Sequence, residues 1–155
     1  MPQLKIVAAC EKVIFDKDGP VSIISMFQQM RYPLPAAPLP EHAIAPNMWS
    51  VFTLWENDPK EVGKEFVQVV KVFAPDGALF SESEGTFRNV DAKSLQTHIK
   101  VQVSALPIWK EGTVKVCVFL KGDETLLGTY SFQINYVSAE TPTLILVGAE
   151  LASEG

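Results

Sequence analysis

The segment Leu95-Gln96-Thr97-His98-Ile99-Lys100-Val101-Gln102-Val103 decides the fold class. Leu95, Thr97, Ile99, Val101 and Val103 alternate with Gln96, His98, Lys100 and Gln102. A period of two belongs to an extended strand with one face on a core and the other in water. A helix would bring its apolar residues back every three or four positions. The same period continues toward the C-terminus. Residues 113–121 point Val114, Val116, Val118 and Leu120 one way, and residues 126–136 place Tyr130, Phe132, Ile134 and Tyr136 on one side. Toward the N-terminus, strands are expected at 79–88, 66–74, 48–56, 21–31 and 4–15. Residues 48–56 are mostly apolar on both faces, which predicts a strand covered on both sides.

Turn residues separate these runs. Asp16-Lys17-Asp18-Gly19-Pro20, Pro75-Asp76-Gly77 and Gly122-Asp123-Glu124 are tight-turn sequences. Prolines 33, 35, 38, 40 and 46 exclude a regular helix or a central strand there. They predict a stiff loop that carries the chain from one sheet to another. One segment supports two readings. Asp58-Pro59-Lys60-Glu61 is a capping box with proline at the first helical position, which suggests a helix over 59–73. Val67, Val69, Val70 and Val72, together with Gly63, favour a strand instead.

A length of 155 residues suits one domain. With 47% hydrophobic and 20% charged residues, the chain can bury a core, so disorder is excluded as its main state. A net charge of −5 argues against nucleic acid as a partner. No apolar run is long enough for a transmembrane helix. The first residues, Met1-Pro2-Gln3-Leu4-Lys5, lack a signal-peptide pattern, so a cytoplasmic location is expected. Cys10 is expected to point inward with Leu4, Ile6 and Ala8, and Cys117 outward with Lys115 and Lys121. Opposed directions exclude a bridge between them, and both thiols are expected to be reduced.

The domain is expected to span residues 1–137, followed by a tail at 138–155. The tail contains Thr143-Leu144-Ile145-Leu146-Val147, an apolar run suited to an extra edge strand or to a strand lent to a neighbour. The whole pattern predicts an all-β protein, an antiparallel β-sandwich of eight or nine strands, immunoglobulin-like or C2-like.

Several motifs add a resemblance. Ala9-Cys10, Val13 to Phe15 and then Asp16-x-Asp18-Gly19-x-Val21-Ser22-Ile23-Ile24-x-x-Phe27 look like the opening hairpin of a family of uncharacterised bacterial β-sandwich domains. Phe73-x-Pro75-Asp76-Gly77, Leu106-Pro107-Ile108, Glu111-Gly112-x-Val114 and Leu127-Gly128-x-Tyr130-x-Phe132-x-Ile134 fit the same family. The resemblance implies a sandwich fold and a bacterial source, with no activity or catalytic residue to carry over.

No phosphate loop, nucleophile elbow or paired-histidine zinc motif is present in the sequence. The leading expectation is therefore a non-enzymatic binding or structural module without a cofactor. It would engage a protein partner through a loop end or a sheet edge, with a homo-oligomer as one form. The alternative is a calcium- or small-ligand-binding C2-like domain. Alternating strands would gather Asp16, Asp18, Asp58, Asp91 and Asp123 at one end, and calcium takes six to eight oxygens from such loops. Aspartate is equally the ordinary residue of tight turns. The other end would gather Tyr32, Leu34, Leu39, Ile44, Ile108 and Trp109, either as a partner surface or as a cap folded onto the core. Phe119, on the outer face beside Cys117, marks a place where the tail or a second subunit would dock.

Overall fold

A strand that is apolar on both faces needs cover on both sides, and the chain supplies it to β4 (Ile44–Glu56) in two ways. On one face, Trp49, Val51 and Trp55 enter the main core; on the other, Phe52 lies in a smaller cluster with Cys10 and Val13. The computed structural model describes residues 1–138. The remaining strands are β1 (Gln3–Phe15), β2 (Val21–Met26), β3 (Gln29–Pro33), β5 (Glu65–Phe73), β6 (Leu79–Arg88), β7 (Gln96–Pro107), β8 (Gly112–Leu120) and β9 (Gly128–Val137). One sheet has the order β2-β1-β4-β7 and the other β3-β9-β8-β5-β6. Together they form the expected sandwich. The partition of β1, β4 and β7 against β5, β8 and β9 matches the A, B, E and C, F, G strands of an immunoglobulin-like domain.

The core forms between the sheets because the strands facing it give it alternate residues. Val70 and Val72 of β5, Val114, Val116 and Val118 of β8 and Phe132 and Ile134 of β9 meet Ala9, Trp49, Val51 and Trp55 of the facing sheet. A polar link crosses the same interior. The Gln68 Oε1 accepts from Trp55 Nε1 at 2.7 Å and from the Thr53 hydroxyl, and all three side chains are fully buried. This link ties β4 to β5 across the sandwich.

Several expectations need correction. The strand expected over residues 21–31 is two strands in different sheets. Ser25 takes φ 55°, and Phe27 drops into the core against Trp49 and Phe132 at ring-centroid distances of 5.7 and 5.3 Å. The chain therefore changes sheet at an aromatic plug, before the proline loop changes it again. One pairing departs from the antiparallel pattern, since β3 runs parallel to β9. The 59–73 segment contains both of its signals. Asp58 accepts from Lys60 N and starts a 3₁₀ turn at Pro59–Glu61 with proline at its start, and the valines then form β5. The N-cap is genuine, but the Glu61 side chain contacts the N-terminal ammonium and Lys64 rather than closing the box, and Gly63 at φ 81° and the valine run end the helix after one turn.

Cys10 is buried, but not in the main core. The register of β1 against β4 shifts between Leu4 and Ile6, so Leu4, Val7 and Ala9 face the core instead of Ile6, Ala8 and Cys10. Val13, Val21 and Ile23 of the β1–β2 hairpin join Cys10, Phe52 and Leu54 on the opposite face, and the Lys100 ammonium lies over the Phe15 ring at 5.8 Å. The hairpin thus lies as an arm on the outer face of the four-stranded sheet. Cys117 points outward from the other sheet as expected, and both thiols are free. The bridge is excluded because the two cysteines lie on the outer faces of opposite sheets. The apolar run at 143–147 lies outside the described residues.

Candidate functional site at the proline-loop end

Tyr32, Leu34, Leu39, Ile44, Ile108 and Trp109 belong to segments that the topology brings to one end of the sandwich. Parallel pairing of β3 with β9 puts Tyr32 opposite Tyr136, whose hydroxyl donates to Ile108 O at 2.5 Å. Ile108 N donates to Ala43 O at 3.1 Å, which ties the proline loop to the β7–β8 connection. Leu34 N donates to Val137 O at 2.9 Å. Tyr32 and Ile108 pack against the main core, so for these two the capping reading describes the structure. Leu34 and Ile44 behave differently: they remain 62% and 54% exposed.

Trp109 is held between these groups. Its Nε1 donates to Asp76 Oδ2 at 2.8 Å. The His42 ring meets it edge-on at 5.1 Å between centroids, and Phe80 lies at 6.1 Å. The Trp109 indole and the Ala78 amide, both donating to Asp76, hold its carboxyl below the ordinary aspartate range. The turn that carries Asp76 is seated by a close approach. Gly112 takes φ 134°, and a Cβ there would meet Pro75 Cβ at 3.1 Å. His42 sits at φ 61°, a left-handed conformation seldom used outside glycine, asparagine and aspartate turns. The result is an aromatic side chain held by Asp76, His42 and Phe80, at the same end as the exposed Leu34 and Ile44. Such a surface can dock an apolar group without first ordering itself.

From sequence, His42 reads as a proline-loop residue with no evident partner, and strand alternation places the turn Pro75-Asp76-Gly77 at the same end as Pro107-Ile108-Trp109-Lys110. The bond between Asp76 and Trp109, 33 positions apart, leaves no mark in the sequence. A charged residue in a turn next to an aromatic-bearing loop gives no signal until the ends of the strands are placed.

Four of the five acidic-loop aspartates serve their own turn, and Asp18 contributes its backbone N–H to Asp16. Asp16 Oδ1 accepts from Asp18 N, Asp58 Oδ1 from Lys60 N, Asp91 Oδ1 from Lys93 N and Ser94 N, and Asp123 Oδ1 from Thr125 N. These backbone bonds come first among the causes that lower the carboxyls of Asp58 and Asp123. The loops around Asp58 and Asp91 are joined by Gly63 N donating to Asn89 O and Asn57 N donating to Leu95 O. Asp16 stands with Phe15, Gly19 and Val21 beside His98, where the arm crosses the sheet. Among the described residues, no group of three histidine, cysteine, aspartate or glutamate side chains is close enough to hold a metal ion. Phe119 is half-buried on the outer face of β8, with the Lys71 ammonium 5.3 Å from its ring centroid.

The two sheets define an immunoglobulin-like β-sandwich. No family model matches the chain, and no curated protein matches it. The solved structures that this chain resembles include two distant likenesses. One is an immunoglobulin-like protein from Pseudomonas aeruginosa, at 14% identity and a TM-score of 0.41, covering 87% of this chain and 97% of that one. The other is the Pseudomonas fluorescens alkylpurine DNA glycosylase AlkC bound to DNA containing an abasic site analog, at 10% identity and a TM-score of 0.47. That match covers 86% of this chain, which spans 30% of the glycosylase's length. Neither likeness bears on function. Of the suggested bacterial family, what stands is the immunoglobulin-like sandwich itself. Among the described residues, no helix is long and apolar enough to cross a membrane.

Proposed function

We propose that this chain is a non-enzymatic binding module, working in the cytoplasm, that engages a protein partner through the proline-loop end. The observation that carries the reading is that a fixed Trp109 and the exposed Leu34 and Ile44 belong to segments gathered at one end. Tryptophan is enriched among the residues that carry binding energy at interfaces. The rigidity comes from Asp76 and from the seam between Ala43 and Ile108, so little ordering is needed on docking.

The test separates surface from scaffold. The full chain, tagged at its N-terminus, is used to capture partners from a lysate, beside Leu34→Asp and Ile44→Asp variants. Both side chains are already in water, so the variants should melt within a few degrees of the parent. A partner captured by the parent and lost by both variants is the expected result. Capture that is indifferent to Leu34→Asp and Ile44→Asp removes the loop end from the reading.

A further inference from the structure

We propose that the open edge of β3 is a strand-addition site, and that its occupant is the apolar run Thr143-Leu144-Ile145-Leu146-Val147 of the same chain, antiparallel to β3. The proposal concerns the margin of the five-stranded sheet and is independent of partner docking at the loop end.

Two backbone bonds define the edge. Gln133 N donates to Gln28 O at 3.0 Å, and Leu34 N donates to Val137 O at 2.9 Å. In an extended strand the N–H and C=O of one residue point to the same side, and those of the next residue point to the other. The even-numbered residues of β3 therefore bond to β9, and the backbone groups of Gln29, Arg31 and Pro33 point away from it. β3 stands at the end of the order β3-β9-β8-β5-β6, so no described strand meets those groups. Pro33 brings only a carbonyl, which leaves a complete donor and acceptor at Gln29 and at Arg31. Met30 and Tyr32, on the alternate positions, are half-buried and pack against the main core from this margin. A strand added here would complete their cover.

The occupant is argued from where β9 delivers the chain. Val137 lies opposite Pro33 in the parallel register, and the chain continues from Ser138 to Gly155. β9 is paired on both sides, by β3 and by β8, so the continuing chain cannot pair with β9 itself. A strand added to β3 would lie two strand spacings from β9, about 10 Å. The five residues 138–142 reach about 16 Å when extended, enough to pass the end of β3 and turn back. A strand added to β6, at the other margin, would lie four spacings away, about 19 Å, which is out of reach. The edges of the facing sheet lie a further sheet spacing of about 10 Å behind. The run also suits its place. It is uncharged, and its five residues equal the length of β3. An uncharged apolar run and an open sheet edge are each aggregation hazards, and pairing removes both.

Amide hydrogen exchange of the full chain, resolved by residue with NMR, reads the edge directly. The Arg31 N–H is the reporter. Met30 and Tyr32, whose N–H groups face β9, are the internal standards. The expected result is protection of Arg31 in the parent that does not depend on protein concentration. Ile145→Pro lowers it about tenfold or more, while Met30 and Tyr32 stay within a few-fold of the parent. Ser153→Pro, outside the run, leaves Arg31 protected. Exchange of Arg31 at the rate of an unstructured amide in the parent overturns the proposal. So does protection that survives Ile145→Pro. Protection that falls on dilution assigns the added strand to a neighbouring copy and overturns the pairing within one chain.

Discussion

Gln68 shows how much one side chain can decide. It lies in a run of valines and is fully buried, and its Oε1 collects the indole N–H of Trp55 and the hydroxyl of Thr53 from the facing sheet. Its amide nitrogen has no hydrogen-bond partner, so its contribution comes through the oxygen. Removing that acceptor leaves two buried donors unpaired. Gln68→Ala is expected to cost about 2–4 kcal/mol, measured by urea denaturation. Gln68→Glu keeps an acceptor for both donors but buries a carboxyl, whose pKa in the fold must rise above its unfolded value of about 4.3. Its stability deficit should be small in acid, grow as the pH rises through 4.3 and level off above the raised folded value. A deficit that is constant with pH would mean that water reaches the site. Little in the letters around it marks this residue. A glutamine in a strand is read as solvent-facing, and only the packing of β5 under β4 turns it inward.

Among the elements, the β2–β3 break and the β1–β2 arm contain the largest departures from the alternating pattern. Phe27 sits between the two short strands, with Trp49 and Phe132 around its ring and its carbonyl accepting from the Tyr130 hydroxyl. This plug is what transfers the chain from the four-stranded to the five-stranded sheet. Phe27→Ala should therefore cost about 3–5 kcal/mol and should loosen β3 more than β8. Hydrogen exchange resolved by segment checks the second part; equal loss of protection in both strands would make Phe27 an ordinary core residue. Residues 21–31 contain no glycine or proline to mark the break, and a φ of 55° at a serine leaves no compositional mark. The one-residue shift between Leu4 and Ile6 is equally silent, yet it moves Cys10 to the other face of its sheet. The strands at 79–88 and 113–121 were read nearly to the residue, because each is a single unbroken run bounded by turn residues.

At the scale of the whole molecule, the acidic loops are turn chemistry repeated several times. Asp16, Asp58, Asp91 and Asp123 each accept the backbone N–H of a residue two or three positions along, and no three metal-binding side chains converge among the described residues. Thermal melts in chelator and in millimolar calcium should accordingly agree to within a degree. A rise with calcium that is abolished by Asp16→Asn with Asp18→Asn would return the C2-like reading, because only a ligand of the native state raises the midpoint. The proline-loop end has the opposite character. Its residues come from four separate segments, and its tie between Trp109 and Asp76 depends on where two loops land.

Period and punctuation determined the class of this protein. Alternation fixes which residues share a face, and glycine, proline and aspartate fix where the chain turns. Both are local properties that survive without tertiary structure. The sheet order, the parallel β3–β9 pair, the burial of Gln68 and Cys10 and the clamp on Trp109 were decided only by the folded chain. Each depends on contacts between residues far apart in sequence. A single bulge or left-handed residue, invisible in composition, redirects every side chain that follows it along the strand.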